Sequence, residues 1–240
     1  MSNNKTKEFA LDLLFPKFCV NCQTEGFYLC PDCFSLIEIL DRQYCSFCEV
    51  PPVVPDGKTC YKCRKTRKLD GLFCATSYEN QIVKKLIRSF KYEPFAKDLA
   101  ETLSYLIVNH FSALGILEKF NYFSDFIIIP IPSYKKKIKY RGFNPAEEIA
   151  KKLASLFRIP VLDDVLIKIK HTPPQAELKK EERMENIKGV FEVKNQSVIW
   201  ENKILLVDDV FTTGATMEEG ARVLKNAGAL EVLGVVIARG

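Results

Sequence analysis

Residues 204–216 read ILLVDDVFTTGAT and carry the strongest structural signal in the chain. Four apolar residues predict a strand buried inside a sheet, and two adjacent carboxylates, Asp208 and Asp209, follow that strand. A turn rich in threonine then leads into a helix. Open α/β sheets are built from such strand-loop-helix units, and they bind ligands at the carboxyl ends of their strands. The segment therefore predicts an α/β fold with a ligand site at residues 208–216.

The turn at residues 212–216 has the chemistry of a phosphate site. Successive backbone N–H groups in such a turn point at one spot, and the dipole of the following helix adds positive potential, so a phosphate monoester fits there. Thr212, Thr213 and Thr216 add hydroxyl donors, and Gly214 and Ala215 complete the loop.

The adjacent carboxylates of Asp208 and Asp209 require partners. Neighbouring carboxylates repel, and each raises the pKa of the other unless donors or cations hold both ionised. The 2- and 3-hydroxyls of a ribose are suitable donors, with magnesium nearby on a diphosphate. The alternative is that one aspartate caps the turn and the other faces solvent.

The rest of the C-terminal region alternates strand and helix patterns, which predicts a parallel, doubly wound sheet. We expect helices that present their apolar residues on one side, with Asn144 as an N-cap before Pro145, and we expect His110 and Cys74 in the core. A polar stretch at 172–188 is a candidate functional loop. The expected strands lie at 72–78, 126–131, 165–169, 204–207 and 232–238.

Eight of the nine cysteines form four CxxC pairs near the N-terminus. A two-residue gap lets both thiolates of a pair reach one tetrahedral ion, so four pairs suffice for two structural zinc ions. A redox dithiol is the alternative for any single pair, but four pairs in a short segment favour metal. The spacing leaves open whether the sites are consecutive or interleaved; we favour consecutive pairing, a double zinc ribbon. The pairs are Cys19 with Cys22, Cys30 with Cys33, Cys45 with Cys48, and Cys60 with Cys63.

The end of the cysteine segment marks a domain border. We predict a zinc-ribbon segment at residues 1–70 and an α/β domain at residues 71–240. The apolar patch at 9–15 is too short and too closely flanked by charges for a secretory signal, and no apolar run approaches the ~20 residues of a membrane helix. We therefore expect a cytoplasmic protein without membrane insertion.

The net charge of +5 is modest, but two segments are strongly basic. Each is either a solvated surface or an anion site. One consists of Lys62, Arg64, Lys65, Arg67 and Lys68; the other of Lys135, Lys136, Lys137, Lys139 and Arg141.

Several motifs in a fixed order resemble a known family. Besides the cysteine pairs and residues 204–216, these are FKY at 90–92, IPIP at 129–132, RGFN at 141–144 and TPPQAEL at 172–178. Residues 204–216 resemble the motif with which type I phosphoribosyltransferases bind 5-phosphoribosyl diphosphate (PRPP). The chain as a whole resembles the ComF (late competence, ComFC-like) family.

The resemblance implies a type I phosphoribosyltransferase fold and assigns roles within it. Asp208 and Asp209 match the residues that hold the ribose, and residues 212–216 match the loop that holds the 5-phosphate. The expected loop after IPIP, residues 133–141, matches a pyrophosphate site, for which Lys135, Lys136, Lys137 and Arg141 are the candidates. Residues 171–189 match a mobile loop that covers PRPP. Six-oxopurine enzymes carry an aspartate where this chain has Thr212, which disfavours a hypoxanthine or guanine acceptor.

Three functions remain open at this point. The first is an enzyme that transfers ribosyl 5-phosphate from PRPP, with magnesium, to an unknown acceptor. The second, implied by the family's part in natural transformation, is a competence factor that binds single-stranded DNA through the 62–68 cluster, with PRPP as a sensor ligand or a relic and a DNA-uptake helicase as partner. Tyr44, Phe47 and Tyr61 could stack bases there, or fill the ribbon's core. The third is a PRPP-sensing regulator that acts through proteins alone.

Overall fold

The computed structural model describes residues 16–92, 96–119, 122–170 and 186–240. Its strands are β1 (Gly71–Ser77), β2 (Phe126–Pro130), β3 (Leu166–Lys168), β4 (Phe191–Val193), β5 (Lys203–Val207), β6 (Val210–Phe211) and β7 (Glu231–Arg239). Its α-helices are α1 (Pro31–Ser35), α2 (Tyr61–Arg64), α3 (Gln81–Lys91), α4 (Leu99–Ala113), α5 (Lys135–Arg141), α6 (Pro145–Phe157) and α7 (Ala215–Asn226). None of the helices in these ranges is long and apolar enough to cross a bilayer.

The main sheet is parallel and is buried on both faces. Its order is β1-β7-β5-β2, and β6 extends the pairing of β7. Side chains alternate between two cores: Leu205 and Val207 pack with α3, α4 and α6, whereas Ile204 and Leu206 pack with α7 and the β3–β4 pair. This alternation follows from the period of two in a strand. The predicted α/β fold with helices on both faces is confirmed.

Two local predictions need correction. The strand pattern at 165–169 does form β3, but β3 pairs antiparallel with β4 and lies outside the main sheet, since a period-two pattern does not reveal a strand's partner. The segment expected as a loop after β2 contains α5, which ends at Gly142 in the left-handed conformation, φ 86°.

Asn144 occupies the predicted N-cap position of α6, but its side chain makes no cap hydrogen bond. Its Nδ2 instead donates to the carbonyl of Ile131 at 3.0 Å, and its Oδ1 accepts from Ser133 Oγ at 2.9 Å. Asn144 therefore holds the segment that follows β2, at the carboxyl edge of the sheet.

The cysteine segment packs along the edge strand β1. The N–H of Leu40 donates to the carbonyl of Ala75 at 2.9 Å, and Thr76 Oγ1 donates to the carbonyl of Glu38 at 2.7 Å. The buried ring of His110 bonds the carbonyl of Leu40, and burial lowers the pKa of this histidine to about 4, so the ring is neutral at physiological pH. The cysteine segment and the α/β domain thus share a core, and the border at residues 70 and 71 stays a prediction.

Candidate functional site

A cleft of about 500 Å³ opens at the carboxyl edge of the main sheet. It is enclosed by the segments that follow β1, β2 and β5, by the start of α7, and by residues of α3, α5 and β3. The polar and charged residues that line it are Tyr78, Lys91, Tyr92, Ser133, Tyr134, Lys137, Arg141, Asn144, Lys168, Asp208, Asp209, Thr212 and Thr216.

Asp208 and Asp209 lie at the base of this cleft, directly after β5. Their backbone is fixed to β7, because the N–H of Asp208 donates to the carbonyl of Val235 and the carbonyl of Asp209 accepts from the N–H of Ile237, each at 3.0 Å. The Asp209 side chain is only 8% exposed, and its Oδ1 lies 2.8 Å from Lys91 Nζ. Both carboxylates therefore face the cleft, and a lysine already neutralises one of them.

The environment of this site shifts the pKa of Asp208 and the pKa of Lys91. Burial, followed by repulsion from Asp209, raises the pKa of Asp208 to about 7. Burial alone would lower the pKa of Lys91, but Asp209 and Asp208 outweigh it and hold that pKa above its usual value. Asp208 therefore takes up a proton at a higher pH than an ordinary aspartate does.

The turn before α7 can be made only with glycine at position 214. Gly214 has φ +78°, and a Cβ added there would come within 2.4 Å of Phe211 Cζ. Thr212, Gly214, Ala215, Thr216 and Met217 line the cleft, and the amides of residues 215–217, at the start of α7, have no acceptor within the helix. Thr213 is not among the lining residues, and its Oγ1 accepts the N–H of Ala215 at 3.4 Å.

Four cations surround the carboxylate pair. Lys137 and Arg141 are one turn apart on α5 and line the cleft, whereas Lys135 and Lys136 do not. Lys91 comes from α3 and Lys168 from β3. The cleft therefore holds more positive than negative charge.

These cations lie in conditions that favour an anionic ligand. Burial, followed by the charge of Arg141, lowers the pKa of Lys137; burial, followed by the charge of Lys137, lowers the pKa of Lys168 to about 8. The Nε of Arg141 is buried and has no hydrogen-bond partner among the described residues. An anion bound between these side chains would relieve their repulsion and supply an acceptor.

Sequence reasoning missed several residues of the cleft. Lys91 is the middle residue of FKY at 90–92, the first of the four short family-like motifs, and that motif gave it no role. Tyr78 and Lys168 carried no signal at all, because only the packing of β1 and β3 brings them to the cleft. The predicted covering loop, 171–189, lies outside the described residues except for its last four.

The eight predicted zinc ligands form two separate groups of four sulfurs. Within each group the sulfurs all lie within 4.8 Å of one another, with Cys22 and Cys30, and likewise Cys48 and Cys63, 3.5 Å apart. Sulfurs at ~2.3 Å from a tetrahedral zinc ion are ~3.8 Å apart, so the donors fit zinc. The first cluster is Cys19, Cys22, Cys30 and Cys33, and the second is Cys45, Cys48, Cys60 and Cys63. The favoured consecutive pairing is confirmed.

The basic cluster at 62–68 lies in and after α2, beside the second cluster. Lys62, Arg64, Lys65 and Lys68 are exposed, and the ammonium of Lys65 lies 4.5 Å from the ring centroid of Tyr61. Within the same group, the guanidinium of Arg67 is 4.8 Å from the ring centroid of Phe47.

Two family models match the chain. The phosphoribosyl transferase domain covers residues 138–240, and the double zinc ribbon domain covers residues 10–76. Together with the parallel sheet and the two cysteine clusters, these matches define a phosphoribosyltransferase-like α/β protein with an N-terminal double zinc ribbon that carries structural zinc.

Curated proteins similar to this chain are named competence proteins. Competence protein F of Haemophilus influenzae is 34% identical over 108 residues, which are 44% of this chain and only 46% of that protein. Competence protein ComFC of Bacillus subtilis is 29% identical over 72% of this chain and 80% of its own length, and ComFC of Streptococcus pneumoniae is 26% identical over 85% and 84%. The chain is therefore similar to the ComFC competence proteins and contains a phosphoribosyltransferase domain.

Among solved structures, a glutamine PRPP amidotransferase from B. subtilis, complexed with ADP and GMP, matches 58% of this chain and 25% of its own. The identity is 17% and the TM-score 0.36, values too low to support a functional conclusion.

Proposed function

We propose that the cleft binds PRPP with magnesium. One observation carries the proposal: a carboxylate pair, the N-terminal end of α7 and four cationic side chains line one cleft. PRPP carries the complementary groups, since its ribose ring bears free 2- and 3-hydroxyls, a 5-phosphate and a 1-diphosphate. A ligand that carried only one of these anionic groups would leave half of the cleft's donors unused.

Each part of PRPP has a counterpart in the chain. The amides of the turn at 212–216 and of the first turn of α7 would receive the 5-phosphate. Asp208 and Asp209 would accept hydrogen bonds from the ribose hydroxyls. Lys137, Arg141 and Lys168 would hold the diphosphate, and magnesium would bind to its oxygens. Lys135 and Lys136 have no place in this scheme, because their side chains lie outside the cleft.

We further propose that the protein transfers ribosyl 5-phosphate to an acceptor and releases pyrophosphate. Loss of pyrophosphate breaks the bond at the ribose C1 and leaves positive charge on the sugar, which the nearby carboxylates would stabilise. Lys137 and Arg141 would take up the negative charge that forms on the leaving pyrophosphate. The acceptor is unknown, and Thr212, in the position of the six-oxopurine enzymes' aspartate, argues against hypoxanthine and guanine.

Calorimetry of the zinc-loaded full chain with PRPP and magnesium tests the binding step. A screen for pyrophosphate release across nucleobases, amines and water tests the transfer. Binding without release by any acceptor would indicate a PRPP sensor. Absence of binding to well-folded protein would refute the proposal.

The second proposal concerns single-stranded DNA. The relatives are named competence proteins, and we propose that this chain acts in DNA uptake during natural transformation, in the cytoplasm and beside a DNA-uptake helicase. The supporting observation is the exposed basic cluster with the 69% exposed ring of Tyr61, which could stack a base between phosphate contacts.

Filter binding of single-stranded DNA at several salt concentrations tests this second proposal. Each phosphate contact contributes about 0.7 to the slope of log affinity against log salt. Replacing Lys62, Arg64 and Lys65 by glutamine should lower the slope by about 2, whereas replacing Lys135, Lys136 and Lys139 should leave it unchanged. Equal slopes in both triple variants would show that the 62–68 cluster does not contact DNA.

A further inference from the structure

The second cysteine cluster reaches the phosphate loop through an aromatic contact. Phe47 lies between the ligands Cys45 and Cys48, and its ring meets the ring of Phe211 nearly edge-on, with centroids 6.1 Å apart and planes at 70°. Edge-to-face aromatic pairs attract each other beyond the area they bury. The guanidinium of Arg67 lies over the same Phe47 ring. The position of Phe47 is thus set by the two cysteines on either side of it and by its contacts with Phe211 and Arg67.

Phe211 transmits this contact to the glycine of the turn. It is 2% exposed and lies in β6, which pairs with the end of β7. Its ring packs so closely on Gly214 that a Cβ at that position would come within 2.4 Å of it. A shift of the Phe211 ring would therefore move the backbone that turns into α7.

A second connection runs through Glu218, in the first turn of α7. Its carboxylate accepts the backbone N–H groups of Lys68 at 2.7 Å and Leu69 at 3.2 Å, just beyond the last ligand, Cys63. Its own N–H donates to the carbonyl of Gly214 at 2.9 Å. The chain that leaves the second cluster is therefore tied to the helical turn whose amides face the cleft.

The first cluster has no comparable connection among the described residues. Cys19, Cys30 and Cys33 belong to the core on the opposite face of the sheet, with α3 and α4, whereas Phe211 and Ala215 belong to the core that contains α7. The two clusters have the same four-cysteine chemistry, but they pack against opposite faces of the sheet.

We infer that the second zinc cluster positions the phosphate loop, with Phe47 and Glu218 as the positioning residues. Affinity for a sugar 5-phosphate then depends on the second cluster and is independent of the first. The inference rests on the proposed function of the cleft, because it assigns the 5-phosphate to the turn at 212–216. Pyrophosphate, assigned to Lys137 and Arg141, should be unaffected.

The decisive variant is Glu218→Ala in the zinc-loaded full chain, with ribose 5-phosphate and pyrophosphate titrated separately by calorimetry. The affinity for ribose 5-phosphate should fall about tenfold, since two hydrogen bonds to a carboxylate are lost, while the zinc content and the affinity for pyrophosphate stay at wild-type values. Glu218→Gln keeps an oxygen acceptor and should recover part of the loss. Glu101→Ala, which removes a glutamate paired with Lys152 on the surface, is the matched control.

A pair of ligand variants compares the clusters. Cys48→Ser and Cys22→Ser should each lose one zinc ion, but only Cys48→Ser should lower the affinity for ribose 5-phosphate. If Cys48→Ser does not fold, the comparison of Glu218→Ala, Glu218→Gln and Glu101→Ala tests the inference. Wild-type binding in Glu218→Ala, or an equal loss for both ligands, would overturn the inference and leave the proposed function intact. A folded wild-type protein that binds neither ligand would overturn the proposed function itself.

Discussion

Replacing Asp209 by asparagine separates folding from ligand binding at the base of the cleft. The side chain is 8% exposed and pairs with Lys91 at 2.8 Å, so its replacement should cost more stability than the ~0.5 kcal/mol typical of a surface substitution. Removal of one partner of a fully buried pair costs about 3–5 kcal/mol. Lys91 is 26% exposed, and the asparagine oxygen can still accept its hydrogen bond, so we expect a loss of about 1–2 kcal/mol of unfolding free energy.

In this variant the loss of binding free energy for PRPP should be larger than the loss of unfolding free energy. A hydrogen bond from a ribose hydroxyl to a carboxylate contributes about 1.5–3 kcal/mol, which corresponds to roughly ten- to hundredfold weaker PRPP binding. The assay is calorimetry with PRPP and magnesium at a temperature where thermal melts show both proteins folded.

Asp125→Asn is the matched control for Asp209→Asn. It makes the same change in an aspartate that pairs with Lys203 at 3.7 Å, at the amino end of β2 and therefore at the opposite edge of the sheet. Its affinity for PRPP should equal that of wild type. Equal affinity in Asp209→Asn and wild type, with the fold intact, would refute the assignment of the ribose to this carboxylate.

Three further predictions concern pH, the diphosphate side of the cleft and zinc. PRPP affinity should fall as pH drops below about 7, where Asp208 takes up a proton, and also as pH rises above about 8, where Lys168 loses a proton. Asp208→Asn should remove the fall in affinity at acidic pH. If that fall persists in the variant, protonation of the ligand causes it. Lys137→Met should weaken pyrophosphate binding about tenfold whereas Lys136→Met should not, and equal effects would contradict the placement of the two side chains relative to the cleft. Metal analysis of reduced, chelator-free protein should find about two zinc ions per chain, and a value near zero would exclude zinc from the two clusters.

Much of the site was predictable because it lies within one continuous segment. A buried strand, two carboxylates and a glycine-containing turn follow one another at 204–216, and their order alone places them at the carboxyl edge of a parallel sheet. The four CxxC pairs were also predictable from the sequence, because two ligands three positions apart can reach one ion independently of the tertiary fold.

The basic segment after β2 shows where this local reasoning stops. Its basic residues cannot be distinguished by residue type, yet in α5 only Lys137 and Arg141 line the cleft. These two are four positions apart and therefore lie on one side of the helix. Because the segment was expected to be a loop, no rule of spacing could select these two from their neighbours.

By itself the sequence determined the α/β class of this protein, the strand-turn-helix unit at 204–216 and the two cysteine groups, because each depends on residues that are close along the chain. Only the tertiary structure decided that Lys91 pairs with Asp209, that Lys168 joins the cleft, and that Phe47 of the second cluster lies against Phe211. The two members of each pair, with Asp208 taken as the cleft residue for Lys168, are separated by 40 to 164 positions in the chain. Their contacts arise from the order in which strands join the sheet and from which side of it each helix covers, and neither is encoded in a local periodicity.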